Sequence, residues 1–359
     1  MKKRIKIGNR YIGDNEKPYF IADIAANHDG DLNRAYKLIE LAKEAGADCA
    51  KFQNFKANKI VSNNGFLRLG SKLSHQSSWN KTVYEVYNDA SIPDLWTEKL
   101  KEKCDEVGIE YMTSPYDFES VDNVDKYVNA YKIGSGDITW HEIIKHIASK
   151  NKPVLLATGA SNMSDVESAM NLINKYNSEI VLMQCNTNYT ASGENFKYIN
   201  LNVLTKYREK YPDVILGLSD HTYGHSAVLG AIALGARVIE KHFTDDNNRV
   251  GPDHKFSMTP ISWKDMVSNS MEVWYALGDG IKKVEENEKE TVIVQRRALY
   301  YAKNLKKGHC ILKDDLLPVR PMNKLYGINP YEFEELIGKK LEKDVLKDQL
   351  VKREDLKND

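Results

Sequence analysis

The sequence predicts an α/β chain, a TIM-type (β/α)8 barrel followed by a small β-rich domain. Three observations lead there. Eight short apolar runs alternate with longer amphipathic runs over roughly the first 280 residues, close to the usual length of such a barrel. Polar residues recur at the end of nearly every apolar run. The composition then changes after Gly280. A doubly wound sheet also alternates strand and helix, but it gathers its functional groups at one switch point rather than at every strand end.

Taken in order, the strand-like runs are 19–24, 49–53, 110–113, 130–133, 153–157, 180–184, 214–218 and 237–242. Helix-like runs lie between them, among them 31–45, 94–107, 165–175 and 225–234. Asp31 opens the first of these as an N-cap, because its short carboxylate can accept orphan backbone N–H groups. Gly46 follows Glu44 and Ala45 at a C-cap position, where the chain must turn left-handed to leave the helix. EAGAD recurs loosely as ALGAR before the eighth run, so both read as helix-to-strand joints. The barrel domain is placed at 1–282 and a charged linker at 283–297. The β-rich remainder, 298–359, carries LYYAK, LLPVR and the polar turns KKGHCI and LKDQLV. About 60 residues fold alone only marginally.

The bulk numbers exclude several classes. Of 359 residues 42% are hydrophobic, enough for a large core. Lys+Arg and Asp+Glu are both 51, so no global basic field draws nucleic acid or a membrane surface. Any anionic ligand must be held by local charge. The basic start is not followed by an apolar run of signal-peptide length, and no later stretch reaches a membrane span. Cys49, Cys104, Cys185 and Cys310 are scattered and form no CxxC pair, which suits a reducing cytoplasm.

Barrel chemistry collects at the C-terminal strand ends. There the sequence places Asp23, Lys51, Gln53, Ser114, Lys132, Ser135, Tyr189, Ser219, His221 and His242. Lys51 and Lys132 stand in otherwise apolar strands. A buried lysine is costly unless paired, so each is either half of a structural ion pair or a clamp for phosphate or carboxylate. The Gly134-Ser135-Gly136 run beside Lys132 favours the clamp, since glycines let backbone N–H groups approach an oxyanion. A Schiff-base lysine is the other barrel use of such a residue, but it leaves the histidines unexplained. His221 and His242 close neighbouring strands. Two imidazoles there can hold a divalent metal and leave positions open for water or substrate. Asp253, in the sharp turn GPDHK, either closes a loop or reaches toward sugar hydroxyls.

In order along the chain, FIADIAANHDGDL, AGADCAKFQNFKA, MTSPYD, YKIGSGDITW, LLATGAS, GLSDHT, ALGARVIEKHFT and GPDHK resemble the sialic acid synthase family. This family includes the N-acetylneuraminate, legionaminate and pseudaminate synthases. RRALYYAKNLKKGHCI and VRP resemble the antifreeze-like (SAF, β-clip) domain of the same enzymes. The resemblance covers nearly the whole chain. It implies a transferase that condenses phosphoenolpyruvate with an N-acylated amino-sugar aldehyde, either N-acetylmannosamine or a di-N-acetyl-dideoxy hexose. Phosphoenolpyruvate would be held by Lys51, Ser114, Lys132, Ser135 and Ser219. The sugar would be held by Gln53, Asn80, Tyr189, Asp253 and Arg320, and manganese or magnesium by His221 and His242. Asp23, His221 and His242 would be catalytic. Arg320 matches an arginine that one subunit inserts into the other's barrel, which implies a domain-swapped homodimer. The chain departs from the family in four places: Asp23 stands where glutamate is usual, Ala157 where serine is usual, CNTNY replaces CTxxY, and 66–79 is extended. The competing readings are a Schiff-base aldolase or lyase using Lys132 and a non-catalytic sugar-binding protein.

Overall fold

The computed structural model describes residues 4–190, 192–322 and 327–357 and divides the chain into two compact units, up to Gly278 and from Asp279 onward. The chain opens with an antiparallel hairpin, β1 (Arg4–Ile7) and β2 (Arg10–Gly13). Eight parallel strands then close a barrel: β3 (Tyr19–Asp23), β4 (Cys49–Asn54), β5 (Glu110–Pro115), β6 (Tyr131–Ile133), β7 (Val154–Ala157), β8 (Ile180–Cys185), β9 (Ile215–Asp220) and β10 (Ala236–His242). All eight sequence-predicted strands are present, with ends moved by a residue or two. The helix after β3, Leu32–Glu44, is capped as expected: the Asp31 side chain accepts from the N–H groups of Asn33 and Arg34. Gly46 follows with φ +94°, the left-handed exit that its sequence position predicts.

Strand side chains alternate between two cores. In β4, Ala50 and Phe52 face the helices, whereas Cys49 faces the barrel interior. Lys51 and Gln53 share the inner face with Cys49 by the period of two. The lower interior is apolar, built from Tyr19, Ile21, Cys49, Met112, Leu155, Val181, Met183, Ile215 and Val238. Ile5, Ile7 and Ile12 of the hairpin join that cluster, so the hairpin plugs the lower end. Each buried isoleucine contributes about 1.5–3 kcal/mol. The sequence reading missed this plug, because four-residue strands around a single turn carry too little periodicity to register.

The second unit has its own core around Leu299, Tyr301, Ile311, Leu336, Leu341 and Val351. β11 (Ala298–Tyr301) and β12 (Leu316–Val319) pair antiparallel, at the two strand signals expected there. The stretch 283–297, expected as linker, includes a helix, Lys289–Gln295, with Val292 buried. Two similar segments, 303–316 and 343–356, clasp each other reciprocally. Leu305 and Val345 exchange backbone hydrogen bonds at 3.0 Å each. The Lys307 N–H donates to Asp344 at 2.9 Å, and the Lys347 N–H donates to Asn304 at 2.8 Å. Each segment buries one aspartate. Asp315 meets Lys303 and Asp355 meets Lys343, both at 2.8 Å.

Burial raises the Asp315 carboxyl, but Lys303, the Leu312 N–H and His309 overcome it and hold the group down to about 2. A depressed carboxylate stabilises the fold above its ordinary value near 4, and the contribution is lost as pH falls through about 2. Asp315→Ala should destabilise the second unit by about 1–3 kcal/mol through unpaired donors. Chemical denaturation at neutral pH should show that deficit, and it should shrink when both proteins are compared near pH 2.

Candidate active site

The barrel register assembles the site. Asp23 on β3 lies beside Lys51 on β4 and beside His242 on β10. Gln53 pairs with Ser114 across β4 and β5, and Ser219 pairs with Glu240 across β9 and β10. Lys132 reaches across from β6. These groups form the floor of a cavity of about 440 Å³ at the C-terminal mouth. Asp23, Lys51, Gln53, Ser114, Lys132, Ser135, Tyr189, Ser219, His221, His242 and Asp253 all line it. The structure therefore brings together eleven of the thirteen residues singled out in the sequence. Asn80 is exposed and outside the lining. Arg320 belongs to the second unit, where it is exposed and its Nε donates to the Gln295 carbonyl at 2.5 Å.

Both lysines are buried and paired. The Lys51 Nζ is 2.6 Å from an Asp23 oxygen, and the Lys132 Nζ is 2.8 Å from Glu240. Ser219 also donates to Glu240, at 3.0 Å. Burial raises the Glu240 carboxyl, but the Lys132 and Lys51 ammonium groups outweigh it and hold it down to about 2. Asp23 goes the other way: burial lifts it, Lys51 only partly offsets this, and Glu240 adds to the rise. Lys51 loses proton affinity through burial and regains more from Asp23 and Glu240, so its ammonium is held protonated. One Glu240 oxygen, Oε2, is buried and has no hydrogen-bond partner among the described residues. Sequence reasoning placed Glu240 at a strand end but gave it no role. Counting two residues back from His242 would have put it on the same inner face.

The histidines stand side by side, ring centroids 5.4 Å apart. The His221 Nδ1 lies 3.0 Å from the Asn186 carbonyl, which only accepts, so Nδ1 carries the hydrogen and Nε2 keeps its lone pair. Burial pushes His221 down, and Cys185 and the Asn186 carbonyl more than reverse it. Burial drives His242 down to about 3, so its ring is neutral at physiological pH. Its buried Nδ1 has no hydrogen-bond partner among the described residues and lies 3.9 Å from an Asp253 oxygen. Two imidazole lone pairs beside carboxylates fit a divalent ion. Among the described residues no cluster of three His, Cys, Asp or Glu side chains completes the ligand set, which leaves positions for water and substrate. On the opposite face of β10, Lys241 reaches Asp220 at 2.5 Å and the Thr222 carbonyl at 2.7 Å, and so fixes the turn that carries His221.

Loops make the walls. Tyr189 packs against His221 at 4.3 Å and Phe256 at 5.3 Å between centroids. The extended 66–79 segment folds back so that His75 and Trp79 join the lining, with His75 edge-on to Tyr189 at 4.9 Å. The Gly159 N–H donates to the Ser135 hydroxyl at 2.9 Å, and a Cβ at Gly159 would collide with Thr187. Tyr116, Tyr87 and Asp137 also line the cavity. Burial pushes the Asp137 carboxyl up to about 6. Sequence reasoning assigned no role to Tyr87, Tyr116 or Asp137, because loop paths bring them to the cavity.

The chain matches the NeuB family over residues 38–282 and the SAF domain over 296–357. It is 35% identical to the N,N'-diacetyllegionaminic acid synthase of Campylobacter jejuni, over 94% of this chain and 99% of that one. It is 33% identical to the pseudaminic acid synthase of the same species, over 95% and 96%. The crystal structure of N-acetylneuraminic acid synthetase from Leptospira borgpetersenii, in complex with citrate, superposes with a TM-score of 0.71 at 27% identity. It covers 81% of this chain and 96% of that one.

Glu240→Ala should cost about 3–5 kcal/mol of barrel stability, since it strands the Lys132 ammonium in the interior. Urea titration at neutral pH measures it. The wild-type contribution is present above the ordinary glutamate value near 4.3 and is lost as pH falls through about 2.

Proposed function

Since this chain belongs to the NeuB family, we propose that it condenses phosphoenolpyruvate with the open-chain aldehyde of an N-acylated amino sugar, releasing phosphate and a nonulosonic acid. The observation that carries this reading is the meeting of two buried ammonium groups and two imidazoles on the floor of one cavity. An enol phosphate needs fixed cations, and an aldehyde needs an electrophilic partner for its oxygen.

In this reading Lys51 and Lys132, with the Ser114, Ser135 and Ser219 hydroxyls, hold the phosphoenolpyruvate anion and orient its C3. Gln53, Tyr189 and Asp253 hold the sugar, and Asn80 contributes from the rim. Manganese or magnesium on the ring nitrogens of His221 and His242 would supply Lewis-acid polarisation of the aldehyde oxygen. Holding both reactants in one cavity turns bond formation into an effectively unimolecular event. C3 bonds to the aldehyde carbon as positive charge grows at C2. Asp23, its proton affinity raised by burial, faces that charge and takes a proton from the water that adds at C2. The C2–O bond to phosphorus then breaks and leaves a ketone. Of the two protons of that water, one ends on the new hydroxyl and one on phosphate. A Schiff-base aldolase needs a lysine nitrogen free to attack a carbonyl, whereas the Lys132 Nζ is engaged by Glu240 at 2.8 Å. Arg320 of a second subunit completes the sugar end in a domain-swapped dimer.

Phosphate release should appear when phosphoenolpyruvate is mixed with N-acetylmannosamine or a di-N-acetyl-dideoxy hexose. It should stop on chelation and return with manganese or magnesium. His242→Ala should lose at least about 100-fold in kcat, about 2.7 kcal/mol, while melting near wild type. Normal turnover in that variant refutes the assignment. Arg320→Ala should raise the sugar KM and leave the phosphoenolpyruvate KM unchanged. Equal effects on both would count against the inserted arginine.

A further inference from the structure

Resting on the proposed sugar role of Asp253, a separate set of contacts explains how that carboxylate is held. It lies in the loop after β10, immediately before a single 3-10 turn at His254–Phe256, and one of its oxygens accepts the Ala26 N–H at 3.2 Å. Ala26 sits in the loop after β3. Two non-glycine residues there are left-handed, Ala25 at φ +46° and Asp29 at φ +53°. Such conformations cost about 1–3 kcal/mol each and persist only where surrounding contacts over-determine them.

His254 supplies those contacts. It is fully buried, and both ring nitrogens are engaged. Nε2 is 2.8 Å from an Asp29 oxygen, and Nδ1 is 2.7 Å from the Thr244 hydroxyl. A carboxylate only accepts, so Nε2 donates to it. Asp29 also takes Arg249 at 2.7 Å and Arg34 at 3.1 Å. The loop can lie over the imidazole only because Gly251 lacks a side chain, since a Cβ there would come within 2.6 Å of the ring. His254 itself is not among the residues that line the cavity.

We propose that His254 and Asp29 form a clamp that locks the loop after β10 onto the loop after β3, so that the Asp253 carboxylate is preset for the sugar. His254 is thus a positioning residue. Loosening the clamp frees the Ala25–Ala26 turn and the Asp253 loop together; on the floor it reaches only the Ala25 N–H bond to Asp23, while strand register keeps Lys51 and Lys132 on their carboxylate partners.

The test compares Asp253→Ala, His254→Ala and His254→Gln in the full-length enzyme. Phosphate release is followed with N-acetylmannosamine or a di-N-acetyl-dideoxy hexose as acceptor. His254→Ala should raise the sugar KM about tenfold, with the phosphoenolpyruvate KM within about twofold of wild type. Glutamine, whose amide can donate to Asp29, should recover most of the loss. In ring-labelled wild-type protein, nitrogen NMR should show a slowly exchanging Nε2–H that disappears in Asp29→Ala. If Asp253→Ala raises the sugar KM and His254→Ala does not, the clamp is wrong and the site reading stands. A parallel rise in both KM values with a lowered melting point, unrescued by glutamine, also overturns it. If Asp253→Ala leaves the sugar KM unchanged, the sugar assignment fails and the clamp's purpose fails with it.

Discussion

Two ammonium groups can stand inside this barrel only because two carboxylates stand beside them. An unpaired charge in such an interior costs several kcal/mol, and pairing repays that only when the geometry is close. Lys51–Asp23 and Lys132–Glu240 meet that condition at 2.6 and 2.8 Å. Alternation along the strands puts all four on the inner face of the upper barrel. The same alternation fills the layer below with apolar side chains that exclude water. The cations are therefore fixed before any ligand arrives.

Above that floor the organisation changes. Strand register sets Asp23, Gln53, Ser114, Ser219 and His242, whereas loops set Tyr189, Asp253, Ser135 and Trp79. Loop groups need other means of fixation, and the molecule uses several. Lys241 and Asp220 brace the turn of His221, Gly159 leaves room for both Thr187 and Ser135, and Asp29 gathers the loops after β3 and β10. Relatives of this chain are named for different sugar acids, legionaminic, pseudaminic and N-acetylneuraminic among them.

Much of this was legible before coordinates. Eight apolar runs with polar ends specify a barrel, and a lysine in an apolar strand announces a partner or a ligand. The partners were harder to find. Glu240 reads like any charged residue between a strand and a loop until the inner face is traced back from His242. Asn80 was reached from its neighbours in the family pattern; in the fold it is exposed beside the cavity, and the adjacent Trp79 is part of the lining. His254 carried no assigned role in the GPDHK turn. Only the fold shows that a carboxylate more than two hundred positions earlier in the chain holds it. The N-terminal hairpin escaped because its isoleucines have meaning only against the barrel's underside.

That hairpin also governs traffic. With the underside sealed by Ile5, Ile7 and Ile12, the barrel works as a well rather than a tunnel. Whatever reaches the lysine floor must therefore enter and leave through the upper mouth, between the loops that carry Tyr189, Trp79 and Asp253.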